Sequence, residues 1–199
     1  MAAPHDPAQL LAQLVAIESP SGHEAALSDF VADLCGAWKL DCERLGATLV
    51  ASVHFGAGPR LLYNSHLDTV PIGGGWTRPS ISSAWDGEVL WGRGSNDAKV
   101  SVAAMLWALR TLAESRSAAA GARGVLQLAL TECEETSNVG MTKVLAAFGA
   151  PDAAVTGEPT GLEVVRAQSG LAVLTASWTG KSCHAAHVAR VEHQNALLL

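Results

Sequence analysis

Leu61-Leu62-Tyr63-Asn64-Ser65-His66-Leu67-Asp68-Thr69-Val70-Pro71 begins as an apolar run and ends as a polar loop carrying a histidine and an aspartate. Leu61 to Asn64 reads as a strand, with His66 and Asp68 just past its carboxyl end. Three other segments repeat this arrangement. Gly92-Arg93-Gly94-Ser95-Asn96-Asp97-Ala98-Lys99 follows a short strand pattern at Val89 to Trp91. Thr131-Glu132-Cys133-Glu134-Glu135 follows Val125 to Leu130, and Gly157-Glu158-Pro159-Thr160 follows Ala153 to Thr156. In open α/β sheets the loops at the carboxyl ends of strands form the binding crevice. This topology predicts that His66, Asp97, Glu134, Glu135 and Glu158 converge on one cleft.

Outward from that stretch, the hydrophobic period alternates between strand and helix. Asp6, Pro7 and Gln9 read as cap, first position and capping-box partner of a first helix, followed by Leu10, Leu11, Leu14 and Val15. Ser19-Pro20-Ser21-Gly22 stops it. Ser21 with Glu24 reads as a second capping box, ahead of the stripe Leu27, Phe30, Val31 and Leu34. Thr48 to Phe55 predicts a strand, and Gly56 to Pro59 a hairpin turn into Leu61 to Asn64. Ala98 to Glu114 and Val139 to Phe148 predict helices. Strands alternating with helices predict an α/β sheet covered on both faces. Beyond Gly161 the pattern changes: Val164 to Ser169 and Leu171 to Trp178 read as paired strands, and Ala189 to Leu199 as a helix that begins a second domain.

Composition narrows the classes. The chain has 199 residues, is 49% hydrophobic and 16% charged, and so has the apolar content to fold. Its net charge of −6, without a basic run, argues against a nucleic-acid partner. No apolar run reaches the roughly 20 residues of a membrane span, and Met1 to Asp6 lacks a secretory pattern. Cys35, Cys42, Cys133 and Cys183 form no C-x-x-C pair, so they read as reduced thiols of a cytoplasmic protein.

One histidine with several carboxylates is ligand chemistry for zinc or a similar divalent ion. A carboxylate can also bridge two ions, which in such sites stand roughly 3.5–4 Å apart. Asp68 is spaced to accept the second ring N–H of His66 and so fix its tautomer. Glu134 and Glu135 cannot point the same way in extended backbone. One can bind metal while the other faces the attacking water as general base. Each segment alone has a bland reading: an ordinary His-x-Asp pair, a solvated Glu-Glu face, a turn at Gly-Glu-Pro-Thr. Gly92-Arg93-Gly94 is no dinucleotide loop, because Asp97 occupies the place of the third glycine. Cys133 as a nucleophile lacks any accompanying signature. The order of all four segments together carries the specificity.

That combination resembles the M20 family of metallopeptidases, within it the acetylornithine deacetylase and succinyl-diaminopimelate desuccinylase group. The likeness runs from about Gln9 to Leu199 and includes Trp76-Thr77-x-Pro79 and Gly-Arg-Gly-x-x-Asp-x-Lys. It implies a catalytic domain with a central sheet flanked by helices over residues 1–165, and the beginning of an α+β lid or dimerisation domain over residues 166–199. It implies two divalent ions, zinc with cobalt as an alternative. His66 and Glu158 resemble ligands of one ion, Glu135 a ligand of the other, and Asp97 the bridge. Glu134 resembles the general base and Asp68 the partner of His66. Gly180-Lys181-Ser182-Cys183-His184-Ala185-Ala186 resembles the lid motif whose histidine enters the partner subunit's site, so His184 would polarise the substrate carbonyl in a homodimer.

The expected reaction is hydrolysis of a small N-acyl amino acid, N-acetylornithine first, with desuccinylase or dipeptidase activity as variants of one mechanism. The second ion's further histidine in this family would lie beyond Leu199, as would the rest of the lid and the closing part of the catalytic domain. The rival expectation is therefore a fragment that binds metal or dimerises without catalysis.

Overall fold

A computed structural model describes residues 4–82, 84–115, 121–167, 169–170, 174, 176–181 and 192. The chain divides into two units, Met1–Leu162 and Glu163–Leu199. In the second unit the described residues of 164–169 and 171–178 form no strand. Residues 168, 171–173 and 175 of the expected pair lie outside the described residues. Val164, Leu174 and Trp178 are exposed, and Lys181 pairs with Glu192 at 3.0 Å. His184 and, apart from Glu192, the helix expected over 189–199 lie outside the described residues.

The first unit is built on a five-stranded sheet. Its strands are β1 (Asp41–Leu45), β2 (Thr48–His54), β3 (Arg60–His66), β6 (Val125–Thr131) and β7 (Ala153–Thr156), in the spatial order β1-β2-β6-β3-β7. A separate hairpin pairs β4 (Trp85–Asp86) with β5 (Val89–Leu90). Among the described residues four helices complete the unit: α1 (Pro7–Val15), α2 (Ala25–Ala37), α3 (Lys99–Glu114) and α4 (Val139–Phe148).

The period of two along the strands sorts side chains into two cores. Leu49, Ala51, Val53, Leu126, Leu128 and Leu130 face α1, α2 and α3, in one cluster with Leu10, Leu14, Leu27, Val31, Val102 and Leu106. Val50, Leu62 and Ala129 face the other way and pack with Val144 of α4. The sheet is thus covered on both faces, as the alternation of strands and helices predicts.

Two features depart from the sequence reading. β2 and β3 do not form a hairpin: β6 lies between them, antiparallel to β2 and parallel to β3. The Gly56 to Pro59 turn is real, but it arches over the start of β6, where Phe55 N donates to Gly124 O and Val125 N to Pro59 O. β6 is buried at every position from Leu126 to Thr131, and a central place satisfies that better than an edge. The second departure is β1, which carries no apolar alternation. It is one edge of the sheet, and Asp41, Glu43 and Arg44 give it the charges that discourage pairing with another chain.

Caps explain where helices begin. Asp6 accepts from Gln9 N at 2.7 Å, and Gln9 Oε1 in turn accepts from His5 N at 3.1 Å. The second expected box does not form. α2 starts after Glu24 without a side-chain cap, because Ser21 and Glu24 are engaged elsewhere.

α4 begins against the loop that follows β6. A Cβ at Gly140 would lie 2.6 Å from Glu132 N and 2.7 Å from Thr48 Oγ1. Gly140→Ala must therefore push α4 away from that loop. A loss of about 1–3 kcal/mol is expected, read as a lower urea midpoint at unchanged slope.

Candidate metal centre

The parallel run β6-β3-β7 directs three carboxyl ends to one edge of the sheet. β3 ends at His66, β6 leads into Glu134 and Glu135, and β7 leads into Gly157 and Glu158. Asp97 arrives from the loop that opens α3. The chain that scatters these residues over nearly a hundred positions thus gathers them by topology alone.

His66 is 1% exposed. Its Nε2 lies 3.2 Å from Asp97 Oδ1 and 3.7 Å from Glu158 Oε2. One ligand atom from each of His66, Asp97 and Glu158 falls within 4.8 Å of the others, the geometry of a shared cation. On the other side of the ring, Nδ1 is 2.9 Å from the backbone oxygen of Asp68 and 3.5 Å from its carboxylate. The backbone carbonyl is thus the nearer acceptor for the ring N–H, where the sequence pattern suggested the carboxylate. With the proton on Nδ1, Nε2 presents its lone pair to a cation.

The donor set fits a divalent ion. Burial by itself would depress the His66 imidazole, but the Asp68 and Glu158 carboxylates outweigh it and lift it to about 11. Carboxylates that hold a proton this firmly are the hard oxygen donors a zinc-type cation uses. Glu134 is pushed up by burial and by Glu158, Asp68 and Asp97, against the opposing His66. Glu135 is pushed up by burial and by Asp97, Glu134 and Asp68, again against His66. Carboxylates that raise one another in this way are relieved by positive charge between them. Among the described residues Glu135 is not part of the three-residue cluster, so its candidacy for a second ion rests on proximity to Asp97 and on the family resemblance.

Asp68 is fully buried and acts chiefly on the neighbouring loop. Its Oδ1 accepts from Glu134 N at 2.9 Å, and its Oδ2 from Glu135 N at 3.1 Å and Ser21 Oγ at 2.7 Å. Burial raises its carboxyl, but His66, Ser21 and the two amides more than compensate and hold it at about 2.

Sequence reasoning missed Ser21, Glu24, Thr48 and Lys99 as builders of the site. Ser21 and Glu24 matched a helix cap, a local pattern that hides a long-range role. Lys99 is 1% exposed, and its Nζ donates to Leu14 O at 3.1 Å and Ile17 O at 2.6 Å. The first turn of α3, two residues from Asp97, is thereby tied to the end of α1. Burial depresses the Lys99 ammonium to about 8, Glu18 opposing. The folded state releases this proton before the unfolded chain does, so its contribution to stability grows from about pH 8 toward 10.5. Lys99→Ala leaves both carbonyls without this donor, at an expected cost of about 1–3 kcal/mol near neutral pH. Denaturation of both proteins across pH tests this: the difference should widen above about pH 8, in the direction set by the linkage.

An α/β sheet that delivers an imidazole and several carboxylates to one cleft at its strand ends is metallopeptidase architecture. Residues 62–196 match the model of peptidase family M20/M25/M40, and the chain belongs to that family. A probable succinyl-diaminopimelate desuccinylase of Staphylococcus epidermidis is 30% identical over 189 residues, covering 90% of this chain and 45% of that protein. A Pyrobaculum aerophilum protein named for hydrolysis of LysW-lysine and LysW-ornithine is 31% identical over 182 residues, covering 90% and 49%. The chain thus spans about half the length of the curated relatives it matches. The M20 family metallo-carboxypeptidase of Sulfolobus solfataricus superposes with a TM-score of 0.64 at 17% identity, covering 77% of this chain and 37% of that one. That likeness concerns the fold. No helix among the described residues is long and apolar enough to cross a membrane.

Proposed function

We propose that this chain carries the metal-binding half of a deacylase that hydrolyses small N-acyl amino acids, with N-acetylornithine as the first substrate to try. The observation that carries the reading is the cluster of His66, Asp97 and Glu158 beside the raised carboxyl of Glu134. His66, Asp97 and Glu158 would hold one ion, and Glu135 with a bridging Asp97 would hold the other, zinc or cobalt. Bound there, the ions supply Lewis acidity at the scissile amide. Glu134 takes a proton from the attacking water and returns it to the departing amine. Asp68 keeps the loop of Glu134 in place through two backbone amides. His184, acting from a partner subunit in a homodimer, would stabilise the oxyanion.

The relatives named for a succinyl-amino-acid substrate and for ornithine and lysine release support an acylated diamino acid as the substrate class. The desuccinylase variant is tested in parallel with N-succinyl-diaminopimelate. The deciding assay measures hydrolysis by the purified chain with zinc or cobalt, and again with chelator. Turnover that appears with metal and disappears with chelator is expected. Bound metal without turnover on either substrate would favour the rival reading of a binding fragment.

A further inference from the structure

The loop that carries Glu134 is held by its backbone. Four consecutive amides each donate to a side chain from elsewhere in the fold. Glu132 N donates to Thr48 Oγ1 at 3.2 Å and Cys133 N to Glu24 Oε1 at 3.0 Å. Glu134 N and Glu135 N donate to the two oxygens of Asp68 at 2.9 and 3.1 Å. Glu24 is 2% exposed, and the same Oε1 also accepts from Gly22 N at 2.9 Å and from the Cys133 thiol at 3.4 Å. A glutamate buried this deeply needs partners, and here the backbone and thiol of Cys133, 109 positions along the chain, are among them.

Cys133 sits at φ 53°, in the left-handed region. A residue with a side chain enters that region at a cost of about 1–3 kcal/mol and stays only where its surroundings hold it. Glu24 helps hold this one, accepting from both the backbone N–H and the thiol, while Cys133 O accepts from Ser137 N and Asn138 N. Ser21, at the other end of the same short segment, donates to Asp68 at 2.7 Å. The segment Ser21-Gly22-His23-Glu24 is therefore a strap that reaches both carboxylates gripping the loop.

We propose that Glu24 is a positioning residue for Glu134: its buried carboxylate holds the left-handed turn at Cys133 and so sets where the base stands. The inference rests on Glu134 being the general base. Without Glu24 the Cys133 N–H loses its acceptor in a part-buried place, and the turn relaxes to recover one. A shift of roughly 1 Å in a reacting group is enough to cost about a hundredfold in rate.

The test uses Glu24→Leu and Glu24→Gln in the whole chain loaded with cobalt. Glu24→Leu is expected to lower kcat on N-acetylornithine by about 30- to 100-fold with KM changed less than about twofold. Cobalt affinity and its visible spectrum should persist, because His66, Asp97 and Glu158 are untouched. Glu24→Gln should restore most of kcat, since its amide oxygen still accepts from Cys133 N. In amide nitrogen–proton correlation spectra, the Cys133 and Glu134 resonances should move in Glu24→Leu while those of β2 and β6 stay. An unchanged kcat overturns the proposal. So does a loss of cobalt affinity and melting temperature in step with kcat and without recovery in Glu24→Gln, which would make Glu24 a residue of the fold only. A wild-type chain without turnover is a failure of the deacylase reading, recognised before any substitution, and it removes the positioning role with it.

Discussion

Glu134→Ala is expected to lower turnover of an N-acyl amino acid by about a hundred- to ten-thousandfold while cation binding survives. Glu134 is separate from the cluster of His66, Asp97 and Glu158, so removing it takes no donor from that cation. Its carboxyl is pushed up by burial and by Glu158, Asp68 and Asp97, which brings it toward the range where a base works best near neutral pH. Its backbone is fixed by Asp68, so the side chain acts from a held position. Cobalt titration and single-turnover kinetics on the same preparation separate the two effects. A fall in cobalt affinity as large as the fall in rate would reassign Glu134 from base to ligand.

Asp68→Ala should be the most destabilising of these substitutions, at about 3–5 kcal/mol. It strips the acceptor from two backbone amides and one hydroxyl, and takes the carboxylate away from a buried imidazole. The groups left behind are part-buried, so water replaces their lost hydrogen bonds only in part. The pH dependence has a definite direction. A carboxyl held at about 2 against an ordinary 3.8 stabilises the fold at pH values above the ordinary one, and that contribution, about 2 kcal/mol, is lost as pH falls toward 2. Urea denaturation at neutral pH and at about pH 2.5 checks both parts. The gap between wild type and variant should narrow in acid, and a gap independent of pH would show that Asp68 is not held ionised by its partners.

Much of the site was legible because its chemistry is compressed into short motifs at strand ends. His66, Asp97 and Glu158 are brought together as the α/β pattern predicts, and Glu134 and Glu135 reach the same neighbourhood. The helices at Val139–Phe148 and Lys99–Glu114 follow from apolar period, and the strand at Ala153–Thr156 from its β-type run. The hairpin between β2 and β3 was misread because a glycine-rich turn looks the same whether the next strand pairs with the last one or makes room for a third. β1 was invisible because Asp41, Glu43 and Arg44 leave it little apolar face to display.

By itself, the sequence determined the fold class, the sheet covered on both faces, and which residue types could bind a cation, since these depend on local period and on chemistry carried by single side chains. Only the tertiary structure decided the strand order, the roles of Ser21, Glu24 and Lys99, and the acceptor of the His66 ring N–H. Those outcomes come from competition among distant partners for buried hydrogen bonds, and a local pattern cannot record which partner wins. Ser21 and Glu24 make this plain: they match a helix cap, yet the buried Asp68 engages Ser21 and the amide of Cys133 engages Glu24 instead.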